Sequence, residues 1–137
     1  MHHLLKARVP PGWFVRNQNC IVTEDSVPEP DLAIVRGWPG DYGKQHPTGD
    51  EVGLIVEVDD STVAHSRAKG AIYARAGVPH YWIVNLDDRQ IEVFSQPRGR
   101  GSKRVFQTRE LLRGKAELTV VLDGKTIGTL RAKDLVP

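Results

Sequence analysis

The stretch VGLIVEVDDSTVAHSRAKGAIYARAGVPHYWIVN, residues 52–85, decides the fold. It opens on the apolar run Val52-Gly53-Leu54-Ile55-Val56, closed by Glu57 and Val58, and ends on His80-Tyr81-Trp82-Ile83-Val84-Asn85. Both ends are short, β-branched or aromatic, and read as strands. The segment between them predicts a helix near 61–76. Ser61 can cap its start. Val63, Ala64, Ala68, Ala71, Ile72 and Ala76 recur at helical spacing and predict the buried stripe. Gly77 suits the C-cap, and Pro79 prevents continuation.

Working outward, Pro10-Pro11-Gly12 is a break after what reads as the tail of a short helix. Residues 13–17 and 20–23 read as two short strand pieces. An acidic, proline-rich segment separates them from a strand over 31–35. Residues 36–51 form a loop rich in Gly, Pro and Asp, long enough to be mobile or functional. Beyond residue 85, Asp87-Asp88 turns into a strand over 90–94. The basic glycine loop 98–104 leads to a short strand at 105–107, and Asp123-Gly124 joins strands 118–122 and 125–129 as a hairpin. A helical turn ends the chain. Strands, one helix, then strands again predict an α/β (α+β) fold: a mixed β-sheet with one main helix packed on one face and a hairpin-rich C-terminal part.

At 137 residues the chain is long enough for one domain with a real core. Apolar residues make up 39% and charged residues 26%, an ordinary globular balance, and the net charge of +2 is too small to announce nucleic-acid binding by itself. The single cysteine, Cys20, excludes an internal disulfide framework, fits a reducing, cytoplasmic setting and reads as a small buried hydrophobe. No apolar run approaches the roughly 20 residues of a spanning helix, so no membrane role is expected.

Three residues carry candidate chemistry. Asp31 opens the apolar run Leu32-Ala33-Ile34-Val35, Glu57 closes the run that starts at Val52, and Lys69 lies in the predicted helix. If the two strands pair, both carboxylates can point to one end of the sheet. Carboxylates held close repel, and a divalent ion relieves that repulsion; hard oxygen ligands suit Mg²⁺ or Mn²⁺. The backbone carbonyl of Val58 can add a third oxygen. Lys69 lies about 12 Å along the helix axis from Ser61, and a helix folded back on its own sheet returns the amine toward Glu57. Acid, acid and amine at such ends can hold a metal and polarise a phosphodiester. The plainer alternative is three surface charges at element ends. Asp59 is a further possible ligand, and His65 a possible base or ligand whose default is a solvent-exposed helix histidine. Arg98, Arg100, Lys103 and Arg104 can grip phosphates or decorate a solvated hairpin tip. Tyr73, Tyr81 and Trp82 read as core.

Pro-Pro-Gly-Trp (10–13), Pro-Glu-Pro-Asp-Leu-Ala-Ile-Val (28–35), Leu-Ile-Val-Glu-Val (54–58), Lys69 and the run from Tyr73 to Val84 together resemble the PD-(D/E)xK nuclease superfamily, in particular its Uma-type, restriction-endonuclease-like branch. The resemblance implies a mixed sheet flanked by helices and a Mg²⁺-dependent nuclease site. By motif, Asp31 is the aspartate of the Pro-Asp pair and Glu57 the acidic residue of the second motif. Asp59 stands where a lysine is usual, and that lysine's job passes to Lys69. Relatives usually carry a preceding segment with a glutamate-bearing strand and a helix. This chain is expected to lack it over a single domain spanning 1–137, and His65 stands in place of a common aspartate. The implied function is a metal-dependent endonuclease acting on DNA; the alternative is a catalytically weakened nuclease-fold protein serving as a structural or partner-binding module. The shortened N-terminus leads to an expectation of exposed apolar sheet surface and a homodimer.

Overall fold

The computed structural model describes residues 1–24, 26–60 and 63–136. The elements are α1 (His2–Lys6), β1 (Trp13–Asn17), β2 (Leu32–Arg36), β3 (Val52–Asp59), α2 (Val63–Arg75), β4 (His80–Asn85), β5 (Gln90–Arg98), β6 (Val105–Leu112), β7 (Glu117–Leu122), β8 (Lys125–Arg131) and α3 (Ala132–Leu135). Strands β1 to β6 form one six-stranded sheet in chain order. Within this sheet β3 and β4 run parallel, joined through α2, and the other described neighbouring pairs are antiparallel. A parallel pair cannot be closed by a tight turn, so the helix of residues 63–75 is the crossover that this pairing needs. Among the described residues no helix is long and apolar enough to cross a membrane.

Alternation along the strands splits the core in two. Leu32, Ile34, Leu54, Val56, Trp82, Val84 and Ile91 face one way, where β7, β8, α1 and α3 cover them with Leu118, Val120, Leu122, Leu130 and Leu5. Ala33, Val35, Ile55, Tyr81 and Ile83 face the other way, packed with Tyr73 of α2 and with Phe94 and Phe106. Each such fully buried aliphatic side chain contributes roughly 1.5–3 kcal/mol of transfer free energy. The apolar face whose exposure motivated the expectation of a second copy is thus covered by the chain's own hairpin. That hairpin turns at Asp123-Gly124, whose φ values of 52° and 75° fit a type I′ turn. Asp123 also accepts two hydrogen bonds from Arg36, whose guanidinium lies 4.4 Å from the Trp13 ring centroid, so the turn is tied to the end of the sheet.

Several expectations need correction. The buried stripe of α2 is Ser66, Gly70, Tyr73 and Ala74, whereas Ala64 and Ala68 are exposed. Small residues on that face let the helix lie close to the aromatic rings below; a Cβ on Gly70 would already touch the Tyr81 ring at 3.9 Å. The expected strand at 20–23 is reduced to one bridge, Val22 to Thr48. Strands β5 and β6 run longer than expected, to Arg98 and Leu112. The loop 36–51 folds into short 3₁₀ turns at Pro39–Tyr42 and Gly49–Glu51, with the Tyr42 hydroxyl on the Arg36 carbonyl and on Glu51. Cys20 is partly exposed. The expected cap at Ser61 lies outside the described residues. The helix C-terminus is as read: Gly77 has φ +90°, Gly77 N–H donates to the Ala74 carbonyl, and Val78 N–H donates to that of Tyr73. This is the paired bonding of a Schellman cap.

Candidate active site

The antiparallel register of β2 on β3 decides where the two acids go. Leu32 faces Val56, so Asp31 stands one step beyond, beside Glu57. Both residues are in phase with the helix-facing positions Ala33 and Ile55. Three short contacts then tie the cluster together. The Val58 amide donates to Asp31 Oδ2 at 2.7 Å, the Asp31 amide donates to Glu57 Oε1 at 2.9 Å, and Lys69 Nζ meets Glu57 Oε2 at 2.9 Å. Lys69 stands three residues after the buried Ser66 and four before the buried Tyr73, so it borders the face that α2 lays on the sheet. The two acids and the amine are therefore gathered at one end of the sheet, between the end of β3, the start of β2 and the middle of α2. His65 is exposed on α2, and Asp59 is the last residue of β3, paired with Asn85.

Glu57 is almost wholly buried at 3% exposure, while Asp31 is half-buried. Burial pushes the Glu57 carboxyl above its ordinary range; the Lys69 ammonium and the Asp31 amide oppose this, and the Asp31 carboxylate adds to it. A carboxyl with a raised folded pKa contributes stability that is complete below the unfolded value of about 4.3 and is lost as pH rises through the folded value. Glu57→Gln removes that loss. In thermal melts of the metal-free protein the variant should therefore gain on the parent between about pH 4 and about pH 7. A gap that stays constant or moves the other way would show that Glu57 ionises at no cost.

Two features bear on whether a cation suits this place. Asp31 Oδ1 takes none of the bonds above, which leaves a carboxylate oxygen beside Glu57. The Tyr73 hydroxyl is buried with no hydrogen-bond partner among the described residues, yet it lies near enough to sense the charges of Glu57 and Asp31. An orphaned buried hydroxyl costs roughly 1–3 kcal/mol, and such a group commonly marks a place for a water or an ion. The donor set of hard oxygens fits Mg²⁺ or Mn²⁺. Among the described residues no three His, Cys, Asp or Glu side chains cluster as a metal-binding group, so the acids amount to a pair.

A second charged cluster was not anticipated from the sequence. Glu92 on β5 is fully buried, with Arg67 of α2 and Arg109 of β6 each making two or more hydrogen bonds to its carboxylate. Ile83 pairs with both Glu57 and Glu92, so the two glutamates lie in one row, two strands and roughly 10 Å apart. The available signal was phase: in Ile91-Glu92-Val93-Phe94, Glu92 shares the inward phase of Phe94. Arg104 of the basic loop donates from Nε to the Ala74 carbonyl at 3.0 Å, so that arginine is engaged in holding the end of α2.

The model of the Uma2 family, described as "Putative restriction endonuclease", matches residues 1–123. The chain belongs to the Uma2 family. Its fold is similar to that of a crystal structure described as "a putative nuclease belonging to DUF820" from Anabaena variabilis, with a TM-score of 0.70 and 14% identity over 98% of this chain and 74% of that one. At that identity the likeness speaks for the fold alone: a nuclease-like mixed sheet. No curated protein matches the chain. Within this Uma2 chain, the Pro-Asp motif and the Leu-Ile-Val-Glu-Val motif are the two segments that antiparallel pairing sets side by side.

Proposed function

We propose that this Uma2 protein is a metal-dependent endonuclease that hydrolyses DNA phosphodiester bonds. The observation that supports the reading is the convergence of Asp31, Glu57 and Lys69 through contacts of 2.7, 2.9 and 2.9 Å. Membership of a family described by nuclease activity supports the reaction class. In this reading the carboxylates of Asp31 and Glu57, with the Val58 carbonyl, hold Mg²⁺ or Mn²⁺. The ion would supply Lewis acidity toward the phosphate and a more acidic water.

The chain's own residues do the rest. The Val58 amide fixes Asp31 in one orientation, and the Asp31 amide does the same for Glu57, so the acids are aimed before any ligand arrives. Lys69 is one carboxylate away, with its side chain 26% exposed, and can turn its ammonium to the negative charge that develops on phosphorus as water attacks and the ester oxygen leaves. Supercoiled plasmid incubated with Mg²⁺ or Mn²⁺ tests the activity: nicking that requires the ion is expected, and intact plasmid at all ion concentrations would reject it. Lys69→Ala should keep Mn²⁺ binding and lose about 10²–10³ in cleavage rate. An unchanged rate would remove Lys69 from the reaction.

A second reading is favoured by the acids being only a pair among the described residues. A nuclease-fold module of this family that binds a partner without cutting needs no complete metal shell. Calorimetry with Mn²⁺ separates the two readings, since such a module gives neither binding heat nor nicked plasmid.

A further inference from the structure

Tyr73 and Tyr81 make an informative contrast. Both side chains are fully buried, and their ring centroids lie 5.0 Å apart in the same helix–sheet interface. The Tyr81 hydroxyl donates to the Ser66 carbonyl at 2.8 Å. The Tyr73 hydroxyl has no partner among the described residues. Where this cluster needs only aromatic bulk it uses Phe94 and Phe106. A hydroxyl at residue 73 therefore adds nothing to packing, and without a partner it works against folding.

Its position says what it is for. Tyr73 lies four residues after Lys69, on the same side of α2, and packs in one cluster with Ala33 and Ile55, the helix-facing residues two positions along the strands from Asp31 and Glu57. Burial first, and then the negative charges of Glu57 and Asp31, keep this phenol protonated, so it offers a hydrogen bond. The ligand that completes it must accept from the phenol and also tolerate two negative neighbours. Water does both, and an anion does not. We infer that Tyr73 is a positioning residue whose hydroxyl donates to a water held beside Asp31 and Glu57, fixing that water when the site takes its divalent cation. The inference rests on the metal site proposed above.

Calorimetry with Mn²⁺ and thermal melts of the full chain test it, using the parent, Tyr73→Phe and Asp31→Asn. Metal-free Tyr73→Phe should melt no lower than the parent, because the lost hydroxyl had no partner. Its Mn²⁺ affinity should fall about tenfold or more, the usual cost of losing an outer partner of a metal site, and its Mn²⁺-induced rise in Tm should shrink to match. Parental affinity in Tyr73→Phe, alongside lost binding in Asp31→Asn, overturns the role of Tyr73 and leaves the metal site standing. A drop of about 3 °C or more in the metal-free variant also overturns it, since that is the mark of a hydroxyl with a protein partner. A parent chain that binds no Mn²⁺ removes the metal site and this inference together.

Discussion

Asp31→Asn should abolish metal-dependent plasmid cleavage and weaken Mn²⁺ binding by more than about 100-fold, beyond what the loss of an outer-shell partner costs. The substitution is chosen because it should leave the fold alone. The Asn side-chain carbonyl can still accept the Val58 amide proton that Asp31 Oδ2 accepts at 2.7 Å, and the backbone amide of residue 31 can still donate to Glu57. What disappears is one negative charge and one hard oxygen donor. Glu57 then loses a like-charged neighbour that pushes its carboxyl upward, so the variant should be at least as stable as the parent without metal. A variant that melts like the parent and still binds Mn²⁺ with parental affinity would show that the ion sits elsewhere. A variant that binds no metal and still nicks DNA would separate cleavage from this site altogether.

Much of this arrangement is legible in the sequence. The strand–helix–strand unit of residues 52–85 was readable because its punctuation is strong: an apolar run, a helix ended by Gly77 and Pro79, and a second apolar strand. The placing of Asp31 and Glu57 at matching ends was readable because each borders an apolar run, and alternation fixes the face. The buried side of α2 was not readable. The helix lies against the sheet through Ser66 and Gly70, which hydrophobicity does not mark as core, so the alanines suggested the wrong stripe. Nor was the length of β5 and β6, since Gln96, Arg98, Arg109 and Glu110 look like loop residues in one dimension. Arg109 and Glu110 are tolerated because β6 is an edge strand, and Gln96 and Arg98 because that part of β5 runs past its pairing with β4, which ends at Ser95. The Glu92 cluster stayed hidden for a related reason: its three members lie on β5, α2 and β6, and only the tertiary fold brings them together.

That cluster should give the largest and least additive stability effect. Arg67→Met or Arg109→Met alone should cost under about 1 kcal/mol, because the remaining arginine still pairs with Glu92 and methionine keeps most of the aliphatic length of the arginine stem. The double variant should cost about 3 kcal/mol, the lower end for stranding a buried charge, because the arginine side chains are 42% and 47% exposed and solvent screens part of each pair. The pH dependence should also change sign. In the parent, burial pushes the Glu92 carboxyl up, but the hydrogen bonds and charges of Arg67 and Arg109 outweigh it and hold the group below its ordinary value. Its contribution is therefore present above the unfolded pKa of about 4.3 and is lost as pH falls through the folded value. With both arginines gone, burial alone remains and pushes Glu92 the other way, so its contribution is complete below about 4.3 and lost as pH rises. Urea melts of the four proteins at about pH 4 and about pH 7 measure both effects, the double variant losing most at neutral pH and recovering on acidification. Two single-variant costs that simply add, with no such recovery, would mean that Glu92 holds its charge without help from either guanidinium.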